Sequence, residues 1–468
     1  MRTKILTLSA PLVLLLVALF APAVHAARTE LPTIAIDLAH GQQVNGVCAM
    51  MSVMPDAYWV IIVPDKASIE QLDNCIKTRA YAILTGGLTA LTKSEISIDG
   101  LIIGQPVTPL SEDEKKAVLD WLKGDGSMLW CATDSDYPAQ GGNQELAQHI
   151  CNDLLDYLAE NGIPVHLRSD YVSVEDPVSN TGRSYRVVGL VKPPAKYNAD
   201  LIALGAEKVL MHGPGAVMWV DENGDCHKIV DPATGKIASG TPDTIVPIVV
   251  TTKNGNIVEH QPRNPGEPGE FGCAHQVGEQ GVFVMLAAEL VKVGKSTKTI
   301  IVSGESPYYG YQSMLTFKYH GVMLDGPRFF RNLVLWSLGY LGELKALKQV
   351  EEVAAKQAEQ AVAQQVGTIK SEVENVVNNK VATLEQKVSS LEQKVTSVDN
   401  NVNSLVKKVN DIDNQVKSLA EKVKEIENVK SIANSANNKA SSAYWYGIGG
   451  LVLAIIALIA AGLAMSKK

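Results

Sequence analysis

From Val381 to Ile426, apolar residues recur at alternating steps of three and four through seven heptads without a miss. One row is Val381, Val388, Val395, Val402, Val409, Val416 and Val423; the other is Leu384, Leu391, Val398, Leu405, Ile412, Leu419 and Ile426. A 3.5-residue period sustained this long predicts a coiled-coil seam, because a straight helix repeats at 3.6 and drifts off a single stripe. One polar helix cannot cover that stripe by itself, so the pattern predicts that identical chains meet along it.

The seam continues in both directions. Upstream, Val362, Val366, Ile369, Val373 and Val377 follow steps of mostly four, a stutter that locally unwinds the coil; downstream, Val423, Ile426 and Val429 step by three, which overwinds it. Small residues then take over, from Ala433 and Ala436 to Ala457 and Ala461, a spacing that suits close helix approach in lipid. They run into Gly447–Met465, nineteen residues without a charge, where about 20 are needed to cross a bilayer. Tyr444-Trp445-Tyr446 sit where an interfacial belt belongs, and Lys467-Lys468 follow. The expectation is a single transmembrane helix over 444–465, a short cytoplasmic tail at 466–468, and the bulk of the chain outside the cell. Met1–Ala26 has the charged start, apolar centre and small-residue exit of a secretory signal peptide.

Residues 27–342 carry a different pattern, short apolar runs separated by amphipathic helices. Thr33–Asp37, Tyr58–Val63, Gly100–Gly104 and Met128–Ala132 read as strands, as do Lys208–Met211, Thr244–Thr251 and Thr299–Val302. Ser111 and Glu114 form an S-x-x-E capping box for a helix to Lys123; further helices are expected at Asn143–Asn161 and Phe329–Leu341. Near-continuous apolar strands interleaved with helices predict an α/β fold with a doubly wound, mostly parallel sheet covered on both faces. The stretch 220–281, rich in Gly, Pro and Asn, reads as an irregular β and loop insertion. A coiled-coil stalk occupies 343–443, about 150 Å long if wholly helical.

Charge bears on partners. The net charge is −8 with no basic cluster outside the termini, which speaks against nucleic acid. In the coil, Lys380, Lys387, Lys394, Lys408 and Lys422 occupy g positions, facing Glu385, Glu392, Asp399, Asp413 and Glu427 at e positions five residues on. These attract in a parallel assembly, whereas an antiparallel one sets lysine against lysine. Valine at a with leucine at d suits dimers, but Val398, Ile412 and Ile426 at d weaken that preference; a parallel trimer is expected, with a dimer the alternative. Six cysteines leave the disulfide pattern open, and Cys131, inside an apolar run, reads as a buried thiol.

Candidate chemistry lies at strand ends, where open α/β sheets bind ligands. Asp37 with His40, the run Asp134-Ser135-Asp136, and Glu305 would face one crevice and could bind a cation or act as acid and base. Ser173–Asn180 and the loop His212–Gly215 are secondary candidates. The bland alternative is that such residues cap helices and hold turns. The chain lacks G-x-S-x-G, a Walker loop, H-E-x-x-H and an EF-hand, so no cofactor and no catalysis are expected.

The series Ile36–Gln42 (IDLAHGQ), Leu110–Tyr137 with its DSDY end, and SVEDPVSN resembles the class I glutamine amidotransferase-like superfamily, and within it archaeal surface proteins. The resemblance covers about residues 33–340 and implies a flavodoxin-like fold. Enzymes of that superfamily carry a nucleophilic cysteine in a sharp turn after a strand. Here Ala132-Thr133-Asp134-Ser135 stands at that place, and Cys131 is inside the strand. The implied protein is therefore a non-catalytic head on a stalk, held in the cell membrane and supporting a surface layer. A solute- or metal-binding receptor, or a degenerate hydrolase, is the alternative.

Overall fold

A computed structural model describes residues 31–134, 144–258, 272–308, 312, 314–384 and 391–437. The chain divides into two units, Met1–Val53 with Ala57–Lys345 and Met54–Asp56 with Ala346–Lys468. In the first unit the strands are β1 (Thr33–Asp37), β2 (Tyr58–Val63), β3 (Ala82–Thr85), β4 (Gly100–Gly104), β5 (Met128–Ala132), β6 (Leu167–Glu175), β7 (Arg186–Val191), β8 (Lys208–His212), β9 (Gly215–Val220), β10 (Cys226–Lys228), β11 (Ile245–Val250), β12 (Gly255–Val258), β13 (Gln280–Gly281), β14 (Val284–Val293) and β15 (Ser296–Ser303). The helices used below are α1 (Val47–Val53), α2 (Lys66–Gln71), α3 (Asn74–Arg79), α4 (Ala90–Lys93), α5 (Glu112–Lys123), α6 (Gln144–Glu160) and α7 (Gly326–Ser337).

Ten strands form one sheet in the order β3-β2-β1-β4-β5-β15-β14-β11-β7-β8. The first six are parallel and the remaining four pair antiparallel. The α/β class is as expected, but the sheet is mixed, and β3 lies outside β2, unlike the 2-1-3-4-5 order of a flavodoxin-like sheet. The antiparallel wing arises because β14 and β15 are joined by a tight hairpin at Gly294 (φ +59°), where a parallel pair would need a long crossover.

Alternate residues of the parallel strands face opposite layers. Ala35, Val60, Ile62, Leu101, Ile103 and Leu129 join a core with Val118 and Leu122 of α5 and Ile150 and Leu154 of α6. On the other face Trp130 stacks on Phe330 of α7, ring centroids 5.9 Å apart. A second, antiparallel sheet, β10-β9-β6-β12-β13, brings Leu167, Val217 and Trp219 into the same core as Ala287, Val291 and Val302 of the main sheet. The 220–281 stretch is thus divided: β10, β12 and β13 belong to this second sheet, and β11 sits inside the main one.

Three disulfides, Cys48–Cys75, Cys131–Cys151 and Cys226–Cys273, use every cysteine. This corrects the reading of Cys131 as a thiol. It is buried as expected, but because β5 and α6 pack face to face its neighbour across that layer is Cys151. The expected helix at 329–341 is also revised. Gly339 (φ +82°) ends α7, and a new helix α8 starts at Leu341, its first turn anchored by buried Leu344 and an Arg331–Glu343 ion pair of 2.6 Å.

The second unit is dominated by α8 (Leu341–Leu384) and α9 (Leu391–Asn437). Seam residues Val398, Val402, Val409 and Val416 are 41–55% exposed in the single chain. Among the described residues no helix is long and apolar enough to cross a membrane. The signal peptide at 1–26 and the span at 444–465 lie outside the described residues, as do Leu384–Leu391's intervening positions.

The covalent framework gives the first prediction. Denatured but unreduced protein should show no thiol reactive to a chromogenic disulfide, and the Cys131→Ala/Cys151→Ala double variant should lose about 3 kcal/mol in urea unfolding, the expectation for closing a loop of 20 residues. Two or more titratable thiols in the native chain would overturn the pairing.

Candidate functional site

The strand-end acids separate into two groups. In the first, the Asp37 carboxylate at the end of β1 is fully buried. It accepts hydrogen bonds from the Ala39 amide (3.0 Å), from His40 Nδ1 (2.7 Å) and from Gln42 Nε2 (2.5 Å). Gln42 Oε1 accepts from the His40 amide at 2.8 Å, closing the turn. The other ring nitrogen, His40 Nε2, lies 3.2 Å from Glu114 Oε1. Glu114 also accepts from Ser111 N and Oγ at the start of α5 and from the Leu88 amide. Gly87 (φ +61°) is required beside it, since a Cβ there would collide with the Glu114 carboxylate.

Burial by itself would favour neutral His40, but the flanking Asp37 and Glu114 carboxylates outweigh it and raise the imidazole to about 10. Glu114 is held at about 2: burial opposes its charge, while His40 and Ser111 donate to it. At neutral pH His40 is therefore an imidazolium donating from both nitrogens. Such a ring has no lone pair for a metal and no capacity to act as a base. Its work is to tie the β1 turn to the helix α5 start.

Between the two groups, at the end of β4, stands Tyr308. Its hydroxyl donates to the Asp37 carbonyl (3.1 Å) and accepts from the Gly104 amide (3.0 Å). A Cβ on Gly104 would lie 2.5 Å from the ring's Cζ, so glycine leaves the space that the ring fills. The strand order reverses between β1 and β4, the place where open α/β sheets take ligands, and here the chain's own tyrosine occupies it.

The second group is Asp134 and Glu305, at the ends of neighbouring β5 and β15. Glu305 is fully enclosed and accepts from the His212 amide and the Ser306 amide, each at 2.9 Å. Burial, with the Asp134 charge adding to it, raises its carboxyl well above the usual range. The amide of Gln148 on α6 donates to the Asp134 and Asp170 carbonyls (2.9 and 3.2 Å). Gln105, just beyond β4, is buried with a positive φ of 45°, unusual for a residue with a side chain. It donates to the Thr133 carbonyl, and its own Oε1 finds no donor among the described residues.

Ser135 and Asp136 lie outside the described residues. Of the remaining candidates, the structure unites Asp37 with His40 and Asp134 with Glu305, with β4 and Tyr308 between the pairs. Ser173–Asn180 is the end of β6 and the turn after it, organised by buried Asp176, which accepts from the Val178, Ser179 and Thr252 amides. The loop His212–Gly215 carries the chain from the main sheet to the second one. Sequence reasoning missed the partnership of Glu114 with His40; its capping box was visible, but a separation of 74 positions hid it. Tyr308 and Gln105 gave no signal at all.

Among the described residues no set of three or more His, Cys, Asp or Glu is placed to hold a metal. An open cavity of about 310 Å³ lies at the amino end of β4, lined by Leu91, Ile96, Ile98, Trp121 and acidic Glu95, Asp120 and Asp125. Compared with known proteins, the chain matches no family model, no curated protein and no solved structure.

The imidazolium bridge predicts a two-sided pH profile. The raised His40 stabilises the fold fully below its ordinary 6.5, and this is lost as pH rises through about 10. The depressed Glu114 contributes above its ordinary 4.5, and this is lost as pH falls through about 2. His40→Asn should cost about 3–5 kcal/mol in chemical unfolding, since it strands a buried carboxylate, and should flatten the alkaline limb. An alkaline limb equal to that of the wild type would remove His40 from this role.

Proposed function

We propose that this protein is a membrane-anchored cell-surface stalk, an oligomer of parallel chains that holds non-catalytic α/β heads away from the membrane and supports a surface layer. The supporting observation is an apolar heptad seam, its described valines exposed in the single chain, on two helices of 44 and 47 residues that follow the head in sequence. The head fits a structural role: Asp37 and His40 are consumed in a loop staple, the ligand crevice is filled by Tyr308, and the cysteines are all in disulfides. Disulfides suit an oxidising compartment, in keeping with export by the 1–26 segment. The resemblance to glutamine amidotransferase-like archaeal surface proteins points to the same setting. Three chains are favoured over two on the mixed d positions.

Spacer length provides the test. Deleting 381–422 removes six whole heptads and keeps the seam in phase, so tomography of the envelope should find the head or layer density about 60 Å closer to the membrane. An unchanged distance would refute the spacer, and release of the intact chain by an alkaline wash of membranes would refute the anchor.

A second reading, a solute- or cation-binding head, is supported by Gln105 beside the Asp134–Glu305 pair: its φ is positive and its buried Oε1 finds no donor among the described residues, and strain and unmet polar atoms concentrate at binding sites. Thermal unfolding with Ca²⁺, Mg²⁺ or Mn²⁺ should then show a midpoint rise that Asp134→Asn abolishes. No rise with any of the three removes the cation form of this reading.

A further inference from the structure

We infer that the stalk specifies not only parallel chains but their register, through two neutral steps in an otherwise charged g–e ladder; this deepens the stalk reading and rests on it. The partner is a second copy of this chain. The seam valines at 398, 402, 409 and 416 are open in the single chain, and Leu405, Ile412, Leu419 and Ile426 beside them are half-buried, so the stripe has room for a matching helix.

The apolar seam alone cannot set register. With valine at all seven a positions, sliding one chain by a heptad puts valine on valine again. The flanks differ along the length. In register, the seven g–e steps read Lys380–Glu385, Lys387–Glu392, Lys394–Asp399, Asn401–Val406, Lys408–Asp413, Gln415–Ala420 and Lys422–Glu427. Five are attractive, and the two neutral residues of each remaining step face one another.

A slip of one heptad wastes the charges. Lys394 then meets Val406, Lys408 meets Ala420, and Asp413 and Glu427 meet Asn401 and Gln415; two attractive steps of six survive. A slip of two heptads keeps three of five and also uncovers four seam layers' worth of apolar surface. Each exposed pair contributes little, about 0–1 kcal/mol, but every interface repeats the difference. In the single chain Asp413 pairs with Lys417 at 2.7 Å, both well exposed, a contact weak enough to be shared with Lys408 of a neighbouring copy. Specificity here comes from what is lost in the wrong alignment, as in other coiled coils.

The test uses full-length chain in detergent, with single cysteines added at d positions by Leu419→Cys and Ile426→Cys. Under mild oxidation, Leu419→Cys should cross-link to itself, and in a mixture of the two variants the mixed disulfide should be several-fold less abundant than the like-with-like product. A predominant mixed product overturns the in-register assignment, and cross-linking of Leu419→Cys to Val388→Cys would show antiparallel chains. The neutral steps are tested by converting both to charged ones (Asn401→Lys, Val406→Glu, Gln415→Lys, Ala420→Glu). A one-heptad slip then has all six steps attractive, so mixed product should rise several-fold at unchanged oligomer mass. If it does not rise, the neutral steps do not set register, although the stalk stands. A monomer in sedimentation equilibrium would instead remove the stalk reading itself.

Discussion

A carboxylate taken out of water must be met by donors, and the head is built around repeated solutions to that constraint. Asp37, Asp170, Asp176 and Glu289 are all fully buried. Asp170 on β6 accepts from the backbone amides of Cys273, Ala274 and His275, and from the His275 ring at 2.9 Å. Glu289, in the middle of β14, accepts from the His166 and Leu167 amides and from the His166 ring. Asp170 and Glu289 each pin a segment distant in sequence to a strand, while Asp37 and Asp176 fix their own turns, Asp176 also holding Thr252. Removing such an acid would leave buried backbone donors unmet, at about 1–3 kcal/mol each. The same groups that look like chemistry in a sequence are thus the fasteners of the fold.

Glu305 is different. It receives two backbone amides, yet burial and the Asp134 charge push its carboxyl well above the usual range. A raised carboxyl lowers the cost of burying this acid, because the neutral form needs less solvation than the charged one.

What the sequence revealed follows from how local each signal is. Heptads are written in consecutive residues, and β1, β2, β4 and β5 are short apolar runs bounded by turn residues, so both were legible. The strand Val284–Val293 was not, because VMLAAELVKV alternates poorly and an apolar run of that kind reads equally as buried helix or strand. With β14 unseen, the antiparallel wing and the second sheet stacked on it could not be anticipated. The pairing of Cys131 with Cys151 depended on which helix covers β5, a tertiary fact. At the site, Asp37 and His40 were found three residues apart, but Glu114 and Tyr308 reach them only through the sheet order.

The two units owe their stability to different physics. The head carries a continuous core, three disulfides and buried ion pairs, all intramolecular, so its folding does not depend on how many copies are present. The long helices have no such core: their valines lie open in the single chain, and helices of this kind are stabilised by packing more than by propensity. On the proposed reading, their order is linked to association and rises with local concentration. Anchorage of every chain in one membrane, as proposed, supplies that concentration, because tethering turns a bimolecular encounter into a nearly intramolecular one. On the proposed reading, the head would fold by itself and the long helices would order only where copies of the chain are held together.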